Sequence, residues 1–152
     1  MSGLSHIGLK TTDIDRTGRF YTEVLGGAVL NRLDGPNARI WIQWRGVRLE
    51  YAQLPAWGQL DEAQRRALPM VSFIVDPEEI DPIVRALKAA GVPHYGPAFK
   101  STGQSVGVYF SDPEGNPLAL SCNEGYVRDS LARPTVARTW APEPYEWPYQ
   151  SR

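Results

Sequence analysis

The chain has 152 residues, sixteen of them basic and seventeen acidic, for a formal net charge of −1. That length supports one domain with a core of its own, and the absence of any block of like charge leaves nucleic acid and anionic membranes without a handle. No apolar run approaches the roughly 20 residues that cross a bilayer, no secretory signal is expected at the amino terminus, and a lone cysteine, Cys122, suits a reducing cytoplasm.

The first predicted elements recur further along. Residues 5–27 read SHIGLKTTDIDRTGRFYTEVLGG, and residues 69–91 read PMVSFIVDPEEIDPIVRALKAAG. They superpose without a gap at an offset of 64, placing His6 on Met70, Leu9 on Phe73 and Gly27 on Gly91. Each opens as a period-2 strand, passes an aspartate suited to capping a helix (Asp13, Asp76), and ends on glycine suited to stopping one. Pro82 is expected in the first turn of the second helix, because a proline further in would remove a backbone donor.

The second parts match as well. RIWIQWRG followed by VRLEYA pairs with SVGVYFSDPEGNPLALS, setting Ile40, Ile42 and Trp44 against Val106, Val108 and Phe110. Strict alternation predicts half-buried antiparallel strands, and DPEGNP is a hairpin turn by composition. Between the halves, 54–68 contains a short helical piece, LDEAQRRAL. His94 lies in the turn-rich VPHYGP and reads as a loop residue. After Asn123 a Pro-, Arg- and aromatic-rich arm (126–152) reads as an extended segment packed on its own domain or on a partner subunit. The domain proper is 1–125, with modules at about 4–53 and 69–123.

Parity sorts the strands into two faces. The core face takes Ile7, Leu9, Leu49, Tyr51, Val71, Phe73, Val75, Leu118, Leu120 and Cys122. The other face takes His6, Gly8 and Lys10, then Arg39, Trp41 and Gln43, then Arg48 and Glu50. In the second half it takes Met70, Ser72 and Ile74, then Ser105, Gly107 and Tyr109, then Ala119 and Ser121. The fold class is therefore α+β, two βαβββ modules forming cupped sheets.

HIGLKTTDIDRTGRFYTEVLGG and VYFSDPEGNPLAL, with a histidine opening the first strand and a glutamate on the fourth, resemble the vicinal oxygen chelate superfamily. Its members include glyoxalase I, extradiol dioxygenases, fosfomycin-resistance enzymes and bleomycin-binding proteins. The resemblance covers about residues 4–123. It implies a dimer and a divalent metal at the bottom of a cup, held from the first, fourth, fifth and eighth strands. Those places hold His6, Glu50, Met70 and Ala119 here. A thioether is a poor ligand for such ions and a methyl group is none, so no tight metal is expected; any weakly held ion would rest on His6 and Glu50. The resemblance also places Tyr109 toward substrate, where a phenol could donate to a developing oxyanion.

Three readings of His6 and Glu50 stand: a general acid–base pair, a structural remnant, or half of a weak metal site. The catalytic candidates are His6, Glu50 and Tyr109. The substrate-binding candidates are Trp41, Gln43, Arg48, Met70, Ser72 and Ala119. Arg39, Arg48 and Lys10 add positive charge, either toward an anionic ligand or as a solvated rim. The expected ligand is a small organic molecule, cyclic or aromatic. It is either processed by an enzyme or sequestered by a metal-free binding protein, with a homodimer as the working unit and neither nucleic acid nor membrane as partner.

Overall fold

The computed structural model of the chain describes residues 4–99 and 105–126. The first module runs β1 (Ile7–Thr11), α1 (Ile14–Arg19), a π-turn over Phe20–Val24, β2 (Ala28–Leu33), β3 (Arg39–Trp44) and β4 (Val47–Gln53). A 3-10 turn (Pro55–Gln59) and the short α2 (Glu62–Arg66) lead to the second module. That module runs β5 (Val71–Ile74), α3 (Pro77–Ala89), β6 (His94–Phe99), β7 (Val106–Ser111) and β8 (Pro117–Cys122). Each module makes one four-stranded sheet, ordered β1-β4-β3-β2 and β5-β8-β7-β6, with the first and last strands parallel and the rest antiparallel. This is the two-module α+β architecture that the repeat predicts. The arm over 127–152 lies outside the described residues; Tyr126, the residue before it, is buried and donates from its hydroxyl to Asp81 on α3 at 2.7 Å.

Local chemistry explains the elements. Asp13 caps α1, its Oδ1 accepting from the N–H groups of Asp15 (2.9 Å) and Arg16 (3.0 Å). At α3 the reciprocal bond dominates, the Glu79 carboxylate accepting from the Asp76 N–H at 3.0 Å. Gly26 and Gly91 take φ of +69° and +68° where the two helices stop. Pro77, not Pro82, occupies the first turn of α3. Pro82 sits inside the helix on its exposed side, so its missing N–H lies where water can satisfy the freed carbonyl. His94 corrects a second expectation: its segment is strand β6, bent by a register shift between Tyr95 and Ala98 at the Gly96–Pro97 cis peptide. Gly and Pro there mark a bulge rather than the end of a strand.

The core lies on the helix-covered faces and is shared by both modules. Leu49, Tyr51, Phe73, Val75, Leu118, Leu120 and Cys122 are all buried in it, with Ile7 and Val71 packed at its margin. Trp44 stacks edge-on against Phe73 at 4.4 Å, and Phe20 lies 6.4 Å from Phe110. The DPEGN turn is a second joint. Glu114, buried, accepts from the Thr12 N–H at 2.7 Å and the Thr12 hydroxyl at 2.9 Å and pairs with Arg16. Asn116 Nδ2 donates to the Lys10 carbonyl at 3.1 Å, and Arg45 pairs with Glu79 across the modules. With the core faces turned together, the other face of each sheet points away from the shared core, and on the second sheet its centre at Gly107, Ala119 and Ser121 is nevertheless buried.

Candidate functional site

The ladder registers fix which residues share each open face. On the first sheet Glu50 stands beside Gly8 of β1 and opposite Trp41 of β3, with His6 just ahead of β1. On the second, Ala119 stands beside Ser72 of β5 and opposite Tyr109 of β7. Because Gly8 and Ser72 are equivalent in the 64-residue repeat, Ala119 takes the place of Glu50 and Tyr109 that of Trp41. Gly107 then takes the place of Arg39. This shifts the hairpin correspondence by two residues from the sequence alignment, which set Trp41 on Gly107. The slip keeps parity, so every residue stays on its assigned face.

Glu50 is the hub of the first face. Its Oε1 pairs with Nη1 of Arg39, and its Oε2 accepts from the indole N–H of Trp41 at 3.1 Å. Nε2 of His6 lies 3.5 Å from the same Oε2, and Nδ1 of His6 lies 2.7 Å from the Ser5 hydroxyl. The carboxylate is thus contacted by three side chains, two from β3 and one from just ahead of β1, and it is mostly covered, whereas 45% of the His6 side chain is exposed. A charge-assisted contact of this kind is stronger than a neutral hydrogen bond. Trp41, with its N–H committed to Glu50, presents a half-buried ring beside it; Gln43 is also half-buried, and Arg48 and Lys10 are exposed. Arg39 is the member whose role the sequence left open, toward an anionic ligand or at a solvated rim. Parity put it on this face, but only the geometry ties it to Glu50.

The second face is apolar and small. Ala119, Gly107 and Ser121 are buried, and Ser72 shares a 2.7 Å hydrogen bond with Ser121. Tyr109 folds back along its strand: a Cβ on Gly107 would come within 2.8 Å of its ring. Tyr95 lies beside it at 6.3 Å. Burial, and then the neighbouring Tyr95, push the Tyr109 phenol above its ordinary range, which keeps it a proton donor. Met70, just ahead of edge strand β5, and Ile74, at its end, are 50% and 73% exposed. Within one chain the two groups of expected site residues therefore lie on separate sheets.

The donor set is incomplete for a divalent ion. The four places that would supply ligands hold His6, Glu50, Met70 and Ala119, and both oxygens of Glu50 already accept from N–H donors. Among the described residues no three His, Cys, Asp or Glu side chains come together. Two ligands, one of them neutralised by an arginine, do not fit a tightly held metal.

A repeated βαβββ fold whose open sheets carry such residues defines a class of small proteins built by module duplication. The profile of the Glyoxalase/Bleomycin resistance protein/Dioxygenase superfamily matches residues 3–120, and the chain belongs to that superfamily. Among solved structures, it is similar to an integron cassette protein from the mobile metagenome of the Halifax Harbour sewage outfall (27% identity, TM-score 0.62, covering 80% of this chain and 99% of that one). It also shares its fold with the fosfomycin resistance protein FosX from Listeria monocytogenes complexed with Mn(II) and sulfate (22%, 0.64, 81% and 91%). A glyoxalase family protein from Enterococcus faecalis is a further fold relative (23%, 0.62, 78% and 96%).

Proposed function

We propose that this protein is an enzyme that handles a small cyclic or aromatic molecule on the open face of the first sheet, with His6 transferring a proton and Glu50 orienting its imidazole. The observation that carries this reading is the grip on Glu50. A carboxylate fixed by Arg39 and Trp41 is a rigid orienter for the imidazole, and the exposed His6 ring can reach a bound molecule. The Trp41 ring offers that molecule a flat apolar wall, with Gln43 and Arg48 beside it. In this reading a second copy completes the site, bringing the partner's Tyr109 to polarise an oxygen and the partner's Met70, Ser72 and Ala119 as the apolar side. The working unit is then a homodimer, and the buried Cys122 suits the cytoplasm as its compartment. No described helix is long and apolar enough to cross a membrane.

A second reading, a metal-free protein that sequesters its ligand unchanged, is favoured by the apolar second face and the incomplete donor set. Proton NMR in deuterated buffer separates the two. A panel of small cyclic and aromatic keto acids is incubated with the protein, and deuterium entering an enolisable C–H position is followed. The enzyme reading expects exchange that falls by about 10²–10⁴-fold in His6→Ala and Glu50→Gln. Saturable binding with no exchange by the native chain leaves only sequestration.

A further inference from the structure

We infer that Arg39 is the resident cation of this site: fixed on Glu50, its guanidinium takes the electrostatic place of a divalent ion and holds an oxyanionic group of the ligand. The inference rests on the first sheet's open face being the ligand site, and it starts from what Glu50 touches. Nη1 of Arg39 occupies one carboxylate oxygen and the Trp41 N–H the other, so an approaching metal would have to displace both donors. A guanidinium cannot be deprotonated in a protein, so that competitor is present at every working pH. Only one of the three guanidinium nitrogens is spent on Glu50; among the described residues, Nε and Nη2 meet no partner, and the side chain is 45% exposed. Those N–H groups form a planar fork, the geometry that suits a carboxylate or phosphate oxygen pair.

The rest of the face agrees with this assignment. Its fixed charges are Lys10, Arg39 and Arg48 against Glu50 alone, so a cationic excess survives after Glu50 is neutralised. The equivalent place in the second module is Gly107, and no cation replaces Arg39 there. The second module thus has neither a carboxylate (Ala119) nor a guanidinium (Gly107) at these places, while the first has both. That is the pattern expected of two side chains acting as a unit.

The experiment uses the full-length chain with two probes, Mn(II) alone and inorganic phosphate alone. Mn(II) is followed by electron paramagnetic resonance and phosphate by titration calorimetry. In the native protein we expect no saturable Mn(II) site up to millimolar concentration and saturable, one-per-chain phosphate binding. Arg39→Met keeps the stem and removes the cation. It should lower phosphate affinity at least tenfold and strengthen Mn(II) binding at least tenfold, and adding Glu50→Gln should abolish the Mn(II) gain. Arg39→Lys, which keeps the charge without the fork, should still exclude Mn(II). Circular dichroism confirms that each variant is folded. A stoichiometric Mn(II) site in the native chain that is lost on His6→Ala would overturn the inference while leaving a working site at His6 and Glu50. Unchanged Mn(II) and phosphate binding in Arg39→Met would overturn it as well. Loss of proton exchange in His6→Ala is independent of either result.

Discussion

Asp112 shows what a single buried carboxyl can do to a small domain. Its Oδ1 accepts from the N–H groups of Glu114 and Asn116, and its Oδ2 from the Tyr51 hydroxyl and Asn116 Nδ2, all within 2.7–2.9 Å. Tyr51 in turn shares a 2.7 Å hydrogen bond with Tyr21. Burial nevertheless pushes the acid up to about 6, outweighing the lowering by Tyr51 and Asn116. A raised folded value means that the native state holds this proton more firmly than the unfolded chain does. The stabilisation is therefore complete below the unfolded carboxyl range near pH 4 and is lost as pH rises through about 6. Its size is up to about 3 kcal/mol. Urea unfolding of the native chain and Asp112→Asn at pH 4, 5, 6 and 7 should show the difference between them shifting against the native chain across pH 4–6. A pH-independent difference would mean that the carboxyl is not perturbed. The residue-scale chemistry of the first face was only half legible in the sequence. Parity gathers His6, Arg39, Trp41 and Glu50 on one side of a sheet, but not the direction in which each long side chain leans.

At the scale of elements, α3 carries an unusual proline. Pro82 lies in the helix interior, where it withdraws the N–H that would bond the Glu78 carbonyl. Pro82→Ala restores that donor on an exposed surface, and the gain exceeds the entropy that alanine returns to the unfolded chain. We expect about 1–2 kcal/mol of added stability in thermal or urea unfolding; a loss would show that the proline's ring is needed where it packs. The sequence misplaced Pro82 because a first-turn proline is the commoner solution, and Pro77 already filled that place. Strand β6 escaped for a related reason. HYGPAF has the composition of a turn, yet the bulge between Tyr95 and Ala98 absorbs Gly96 and Pro97 while both ends still pair with β7. The two-residue slip between the hairpins has its own cause. The first closes through Arg45 and Gly46, both at positive φ, and the second through the longer DPEGN turn, so composition located the insertion but not its register.

For the whole molecule, the fold was legible because duplication writes the same hydrophobic pattern twice, and two copies constrain each other. What lies between the modules was not legible, since side chains distant in sequence meet there. Glu114 is the sharpest case, read only as part of a turn yet buried against Thr12 and Arg16. Glu114→Ala leaves an unsatisfied Thr12 N–H and an unpaired, largely covered guanidinium, and should cost about 3–5 kcal/mol in unfolding experiments. A cost under about 1 kcal/mol would show that the joint is dispensable. Assembly is tested at β5, where Ile74 is largely exposed on an edge strand. Sedimentation at micromolar concentration should give a dimer for the native chain and a monomer for Ile74→Asp. A native monomer would remove the dimeric site.

The joint at Glu114 also bears on how twin halves avoid pairing with their own kind. In the 64-residue repeat, Thr12 and Arg16 correspond to Asp76 and Ile80. Two first modules docked in the native manner would bring the short Arg45–Gly46 turn against Arg16 and leave that guanidinium without a carboxylate. Two second modules would press Glu114 onto Asp76, acid against acid, with an isoleucine where the arginine should be. Only unlike halves satisfy the contact. The difference between Thr12 and Arg16 on one side and Asp76 and Ile80 on the other thus acts as a sorting code at this contact, under which the backbone repeat is symmetric and the Glu114 joint is not.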